Sequence, residues 1–246
     1  MKLKQFAFSV LLVLSSKYAF AGSPQVFKTR EGSIAANFYP SQSASKVSTV
    51  ILLHGYQCIA ACAQDYERYA LALTKQNFDV YDVEYYSAED YAALEQNRLD
   101  GEGYSTRFRR WTLAVRDVIE QAKAMPRSNG SIALLGFSQG GRLALASAAN
   151  NPAVSAMVVF YARLPDAAEM SSEIRTLPPL MLLHGNADTV VPLKDGNGIF
   201  AKAQTLGNTV EMVVYPGAGH GFDFSADAPA AVSARRHVLA FLGMEK

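Results

Sequence analysis

Short apolar runs alternate with amphipathic stretches along most of the chain. Runs such as residues 47–53 and 131–135 are typical of strands buried on both faces of a parallel sheet. The stretches between them have apolar residues three or four positions apart, which predicts helices with one buried face. Residues 107–125 give the clearest example, with Trp111 and Val115 on the apolar stripe.

The predicted strands and helices alternate after an N-terminal pair of edge strands at residues 25–30 and 34–39. Further strands are predicted at residues 47–53, 78–85, 131–135, 154–161, 180–184 and 209–215, and helices at residues 63–76, 107–125, 142–149, 194–206 and 228–242. This order predicts an α/β fold in which a mostly parallel sheet is covered by helices on both faces.

Two connections between these elements are long. Residues 84–104 can form a short helix over residues 88–99 and carry four tyrosines, Tyr85, Tyr86, Tyr91 and Tyr104. A connection of this length is more often a functional cover than filler, so we expect it to overhang the strand ends; an aromatic-rich packing loop is the alternative. The second connection, residues 163–177, has helical potential.

Residues 1–21 have the pattern of a secretory signal peptide. Two lysines precede an apolar run at residues 6–14, and Ala19-Phe20-Ala21 has the small residues of a cleavage site. The run is shorter than the roughly 20 residues that a membrane span needs. We therefore expect bacterial export, cleavage after Ala21, and a periplasmic or extracellular chain whose residues 22–246 form a single α/β domain.

Charge and hydropathy exclude two classes of partner. The full sequence has 23 basic and 22 acidic residues, and cleavage removes Lys2, Lys4 and Lys17 but no acid, for a net charge of about −2. Such a chain has no electrostatic reason to bind nucleic acid or an anionic membrane surface. The mature sequence also contains no apolar run long enough to span a bilayer.

The two cysteines, Cys58 and Cys62, both belong to the exported part of the chain. Four positions apart on a turn or helix start, their Cα atoms would be about 6 Å apart, which a disulfide accepts. An oxidising compartment favours that bridge. No second pair of ligands follows, which argues against a metal site.

A G-x-S-x-G sequence with Ser138 at its centre joins an apolar run to a run of small helix formers. Such a strand-to-helix turn, the nucleophile elbow, strains its central residue and needs Gly136 and Gly140, because side chains there would collide with the backbone. The serine hydroxyl is then exposed at the end of the sheet. The first free amides of the helix, that of Gln139 foremost, point to the space beside it.

Two later strand ends carry residues that fit the same chemistry. Asp188 follows the strand at residues 180–184 and is either a catalytic acid or a turn residue. His220 lies in a glycine-dense loop after the last strand. Because functional loops gather at the carboxyl ends of parallel strands, we expect Ser138, Asp188 and His220 to meet there.

Other positions are predicted to support this site. The turn at His54-Gly55-Tyr56 is expected to hold the Tyr56 N–H opposite the elbow as a second oxyanion donor beside Gln139, with His54 packed and non-catalytic. Three side chains are candidate substrate-binding residues, namely Tyr86, Arg163 and Phe222. Arg163 follows a strand end and could bind a substrate carboxylate, with a solvated surface arginine as the alternative.

Four blocks of sequence together resemble the dienelactone hydrolase-like family of the α/β-hydrolase fold. They are Leu53-His54-Gly55, Gly136-Phe137-Ser138-Gln139-Gly140-Gly141, His184-Gly185-Asn186-Ala187-Asp188-Thr189-Val190-Val191-Pro192 and Gly217-Ala218-Gly219-His220-Gly221-Phe222. The resemblance implies Ser138 as nucleophile, His220 as general base and acid, and Asp188 as the carboxylate that orients the imidazole.

One residue departs from the family pattern. Dienelactone hydrolases proper use a cysteine at the elbow, where this chain has Ser138, so serine esterase chemistry on a small carboxylic ester is favoured. Such chemistry passes through an acyl-enzyme and uses no metal or organic cofactor. Two alternatives stay open: a small peptidase or amidase, which would need room for an extended chain, and a non-catalytic binding module, which would lack a triad member.

Overall fold

The computed structural model describes residues 22–57, 61–170 and 172–244, and the predicted signal peptide lies outside them. The strands are β1 Ser23–Thr29, β2 Gly32–Tyr39, β3 Val47–Leu53, β4 Phe78–Glu84, β5 Ser128–Phe137, β6 Val154–Phe160, β7 Leu180–Gly185 and β8 Val210–Tyr215. The helices are α1 Ala63–Thr74, α2 Ala88–Glu95, α3 Tyr104–Lys123, α4 Gln139–Ala148, α5 Leu193–Thr205 and α6 Pro229–Met244. None of these helices combines the length and the apolar character needed to cross a bilayer.

The eight strands form one sheet in the order β1-β2-β4-β3-β5-β6-β7-β8. β2 pairs antiparallel with β1 and with β4, whereas the pairs from β4 through β8 are parallel. This topology confirms the predicted mostly parallel sheet. It also brings the carboxyl ends of β3, β5, β6, β7 and β8 to one edge, so the loops that follow these strands are neighbours.

Helices cover both faces of the sheet. Because successive residues of a strand point to opposite sides, each strand contributes to a core on either face. In β3, Ile51 and Leu53 belong to a core with residues of α3, α4 and α5, whereas Val50 and Leu52 belong to a second core with residues of α1 and α6. All four side chains are fully buried. Burial on both faces explains why β3 reads as a continuous apolar run.

The tyrosine-bearing connection is fixed to the core by α2. A capping box between Ser87 and Asp90 begins this helix. The buried Asp90 carboxylate also accepts a hydrogen bond of 2.8 Å from Trp111 Nε1. The connection is therefore anchored to α3 before it passes over the ends of the strands.

The connection at residues 163–177 was expected to have helical potential, and that expectation is wrong for its described residues, which contain no helix. Several of its backbone donors bond to side chains instead. Asn150 Oδ1 accepts from the N–H groups of Arg175 and Thr176, and Glu169 Oε2 accepts from the N–H of Asp166. Side chains that satisfy backbone donors in this way compete with helix formation.

Asp82, in the middle of β4, is a carboxylate that the fold disfavours in its charged form. It lies between Asn37 of β2 and Leu52 of β3. Burial, with Glu84 and Glu67 nearby, raises the pKa of Asp82 to about 7. The folded chain therefore holds this proton more tightly than the unfolded chain, and the resulting stability is lost as the pH rises from about 4 to about 7.

We expect Asp82→Asn to raise the free energy of unfolding by about 2 kcal/mol at pH 8, less than the full pKa shift would give because the carboxylate is partly accessible to water. Near pH 4 the two chains should unfold at almost the same urea concentration. Urea titrations at both pH values measure this, with the exposed Glu95→Gln as the control that should not respond. An equal gain at both pH values would contradict the prediction.

Candidate active site

The structure brings Ser138, His220 and Asp188 into one hydrogen-bonded row. Ser138 follows β5, Asp188 follows β7, and His220 lies in the loop after β8. His220 Nε2 is 3.0 Å from Ser138 Oγ, and His220 Nδ1 is 2.8 Å from Asp188 Oδ2. Because a carboxylate can only accept, Nδ1 carries the proton and Nε2 is free to accept the serine hydroxyl. The three strand ends therefore meet as their order in the chain predicts.

The backbone at Ser138 has the strained conformation expected of the elbow. Its φ is +52° and its ψ is −113°. A Cβ at Gly136 would lie 2.6 Å from Gly141 Cα, and one at Gly140 would lie 2.6 Å from the carbonyl carbon of Leu53. Side chains are excluded at both positions, as the sequence predicts, and the helix α4 can begin directly after the serine.

Both oxygens of the Asp188 carboxylate are held. Oδ1 accepts hydrogen bonds of 2.9 Å from the N–H groups of Val190 and Val191, while Oδ2 faces His220. His184 is buried below this turn, with Nε2 2.8 Å from the carbonyl oxygen of Val191. The turn thus fixes the direction of the carboxylate, and His184 packs against the turn as a structural residue.

Tyr56 and Gln139, which are predicted to supply the oxyanion donors, line the same cavity as Ser138. Gln139 is the first residue of α4. Its N–H is therefore one of the first backbone donors of the helix, which have no acceptor within the helix. Gly55, just before Tyr56, lies against the elbow, since a Cβ built on it would be 3.6 Å from Ser138 Cβ. His54 is buried and stacked on Tyr85 at 3.9 Å, and burial lowers the pKa of His54 to about 4. The buried imidazole of His54 therefore stays uncharged at neutral pH.

A cavity of about 320 Å³ opens beside Ser138. Its wall is formed by loops from five strand ends and by the first turn of α4. The described residues that line it are Tyr56, Asp100, Tyr104, Ser138, Gln139, Arg142, Ala162, Arg163, Val190 and Val191. Among the described residues there is no cluster of histidine, cysteine and acidic side chains that could hold a metal ion.

A sequence model of the dienelactone hydrolase family matches residues 41–245. The chain belongs to this family. A curated protein of Methylorubrum extorquens, provisionally named a carboxymethylenebutenolidase, is 32% identical over 37% of this chain and 34% of its own length. A rice protein provisionally named a carboxylesterase is 36% identical over 43% of this chain and 47% of its own length. The chain thus matches about a third to a half of the length of these relatives.

Solved structures share the fold over nearly the whole chain. A dienelactone hydrolase-like protein of Klebsiella pneumoniae has a TM-score of 0.73 at 19% identity, over 91% of this chain and 98% of its own. Esterase 2 of Thermogutta terrifontis, in a structure phosphonylated by cyclosarin, has a TM-score of 0.68 at 18% identity, over 90% of this chain and 93% of its own. These similarities confirm the α/β-hydrolase fold.

In this member of the dienelactone hydrolase family, sequence reasoning missed the ion pairs of Arg142, a buried residue that lines the cavity. Arg142 of α4 pairs with the buried Glu169 and with Asp166, at 3.2 Å, and its guanidinium lies over the ring of Phe108. The sequence signal was an arginine as the one charged residue of α4. Its partners come from a connection far along the chain, which no local pattern could identify.

The three predicted substrate-binding residues separate in the structure. Arg163 lines the cavity and pairs with Asp166 at 2.9 Å. Tyr86 is not among the described lining residues, because its hydroxyl is buried and donates to Gln139 Oε1 at 2.6 Å. Phe222 is also not among them, since its ring packs on that of Tyr215 at 4.6 Å. Tyr86 therefore touches the Gln139 side chain and does not line the cavity itself.

The tyrosine-bearing connection reaches the site, in agreement with the expected overhang. Asp100 and Tyr104 line the cavity. The Gln139 side chain is held from two sides, since it accepts from the Tyr86 hydroxyl and donates to the Tyr104 oxygen at 3.2 Å. The residue next to the serine is thereby fixed by this connection.

The predicted disulfide falls partly outside the described residues. Cys62, which precedes α1, is disulfide-bonded. Cys58 lies outside the described residues, so its pairing with Cys62 stays a prediction.

Proposed function

We propose that this chain is a serine hydrolase that cleaves small carboxylic esters through an acyl-enzyme. The observation that carries the proposal is the row Ser138 Oγ to His220 Nε2 and His220 Nδ1 to Asp188 Oδ2, at 3.0 and 2.8 Å, at the wall of a cavity. A serine hydroxyl is a weak nucleophile at neutral pH and needs such a base.

Each step of the reaction has a residue to perform it. His220 takes the proton of Ser138 as Oγ attacks the ester carbon, and Asp188 stabilises the imidazolium that forms. The N–H groups of Tyr56 and Gln139 stabilise the negative oxygen; loss of one such donor typically costs about 3 kcal/mol of transition-state stabilisation. His220 then protonates the leaving alcohol, and water, activated by the same imidazole, releases the acid and restores Ser138.

The cavity favours a small ester over a long peptide. Its volume of about 320 Å³ is near the lower end of small-molecule sites. Ala162, Val190 and Val191 offer an apolar side for the acyl or alcohol group. The relatives named as a carboxymethylenebutenolidase and a carboxylesterase support an ester or lactone as substrate, and the serine at the elbow favours the ester.

Covalent labelling tests the proposal. A fluorophosphonate should add once per chain, at Ser138, and p-nitrophenyl acetate hydrolysis should fall in proportion to the labelled fraction. The phosphonylated structure of Thermogutta terrifontis esterase 2 motivates this probe. A panel of esters, lactones and peptides then ranks the substrate classes. Label on another residue, or full hydrolysis after complete labelling, would contradict the proposal.

The same sample tests export, which we propose from the N-terminal pattern. Expressed from the full sequence in a bacterial host, the protein should appear in the periplasm or medium with the mass of residues 22–246, increased after labelling by one label. A labelled protein that retains residues 1–21 in the cytoplasm would contradict export but leave the hydrolase proposal intact.

A further inference from the structure

Asp223 is a buried carboxylate that the reaction above does not use. It follows His220 by three residues, in the 3₁₀ turn Phe222–Phe224, and its exposed fraction is 1%. Tyr161 donates a hydrogen bond of 2.7 Å to Oδ1, and Tyr69 donates one of 3.0 Å to Oδ2. Burial of a carboxylate is unfavourable unless it is hydrogen-bonded, so these two phenols stabilise its position.

Tyr161 links this carboxylate to the catalytic imidazole. Its ring lies against the ring of His220, with centroids 4.6 Å apart. Its backbone is fixed at the end of β6, where its N–H donates to the carbonyl oxygen of Leu183 at 2.9 Å, and its φ is +33°. A positive φ is unfavourable for a tyrosine and persists only where surrounding contacts enforce it. The side chain of Tyr161 contacts Asp223 and His220, and its ring also packs against those of Phe160 and Phe222, with centroids 5.7 and 5.9 Å away.

The loop that carries His220 needs such an anchor. His220 stands between Gly219 and Gly221, and Gly217 and Gly221 both have positive φ values. A loop so rich in glycine does not restrict the histidine by its own stiffness. Yet the imidazole must keep its hydrogen bonds to Ser138 and Asp188 at the same time.

We propose that Asp223 and Tyr161 are positioning residues for His220. The Asp223 carboxylate fixes the Tyr161 ring by accepting a hydrogen bond from the tyrosine hydroxyl. That ring in turn keeps the His220 imidazole in the orientation that bonds to both Ser138 and Asp188. The proposal rests on the proposed serine hydrolase function. Burial raises the pKa of Asp223 to about 6, so at pH 8 the carboxylate is ionised and accepts both hydrogen bonds.

Tyr69 supplies a matched control, because it donates to the same carboxylate from a different side. It belongs to α1, and its ring packs on Phe137 and Phe160 at 5.1 and 5.7 Å. Tyr161→Phe and Tyr69→Phe each remove one hydroxyl from Asp223 and keep the ring. If Asp223 only stabilises the fold, the two variants should behave alike.

The test compares kcat, KM and thermal unfolding of the two variants and the wild type at pH 8, with p-nitrophenyl acetate. Tyr161→Phe should lower kcat about tenfold with little change in KM, since misplacement of a catalytic group lowers the rate of the chemical step. Tyr69→Phe should keep kcat within about twofold of the wild-type value, although it should lose about as much thermal stability as Tyr161→Phe. The rate constant of fluorophosphonate labelling should fall with kcat in Tyr161→Phe, at an unchanged stoichiometry of one label per chain.

Asp223→Asn, which keeps the shape of the side chain, should lower kcat at least as much as Tyr161→Phe if it folds. If the wild type is active and takes the label, equal kcat values for Tyr161→Phe and Tyr69→Phe would overturn the positioning role. The proposed hydrolase function would then still stand. A wild type that neither hydrolyses the ester nor takes the label would overturn the proposed function, and this inference with it.

Discussion

Ser138→Ala is expected to lower kcat for ester hydrolysis by about a million-fold, to the level left by binding and the oxyanion donors alone. The reason is the geometry at His220. Its Nε2 lies 3.0 Å from Ser138 Oγ, and its Nδ1 is bonded to the Asp188 carboxylate. Without Oγ the imidazole has no nucleophile to activate, and an acyl-enzyme cannot form. Fluorophosphonate labelling should also disappear.

Ser147→Ala is the matched control for this change. Ser147 lies on the same helix, α4, and its buried hydroxyl has no hydrogen-bond partner among the described residues. Its removal should leave both kcat and labelling at the wild-type level. Stopped assays with p-nitrophenyl acetate, at enzyme concentrations high enough to detect the residual rate, measure both variants. A Ser138→Ala protein that retains more than about a hundredth of the wild-type rate would reject Ser138 as the nucleophile.

Gly140→Ala is expected to destabilise the folded chain by more than about 4 kcal/mol, or to prevent folding. The added Cβ would lie 2.6 Å from the carbonyl carbon of Leu53, and the neighbouring oxygens of Leu53 and His54 are also backbone atoms. Backbone at the end of a central strand cannot move aside as a flexible side chain can. The elbow would have to open, which separates Ser138 from His220.

Gly198→Ala in α5 makes the same chemical change where there is space. Apart from the adjoining backbone of α5 itself, no atom of the described residues lies within 4 Å of a Cβ built on Gly198. Alanine there should raise the free energy of unfolding by about 0.5 to 1 kcal/mol, because glycine is a poor helix former. Urea unfolding followed by circular dichroism compares the two variants. A Gly140→Ala protein with wild-type stability would show that the elbow does not need glycine at this position.

The sequence was sufficient to predict the elements that depend on local patterns and on chain order. β3 was predicted from its apolar run with both ends correct, at Val47–Leu53. The meeting of Ser138, Asp188 and His220 followed from their places after parallel strands, since such a sheet gathers those ends. The need for Gly136 and Gly140 followed from the sharpness of the turn.

Contacts between distant segments could not be predicted in this way. The helical potential of residues 163–177 was overridden by side chains of other segments, such as Asn150, that bond to its backbone. Phe222 was a candidate substrate-binding residue, yet its ring packs against that of Tyr215. The pairing of Arg142 with Glu169 joins a helix to an irregular segment, and neither sequence pattern contains a sign of the other.

The two hydrogen bonds of the Gln139 side chain have a consequence for how the proposed hydrolase could change its substrate. In the proposed mechanism the main-chain amide of Gln139 stabilises the reacting carbonyl oxygen. The side chain of the same residue is hydrogen-bonded to the hydroxyls of Tyr86 and Tyr104, which belong to the tyrosine-bearing connection. A substitution at Tyr104, which lines the cavity, would reshape the pocket and at the same time remove one of the two hydrogen bonds that hold the Gln139 side chain. The proposed function therefore implies that substrate selectivity and turnover change together when this residue is substituted.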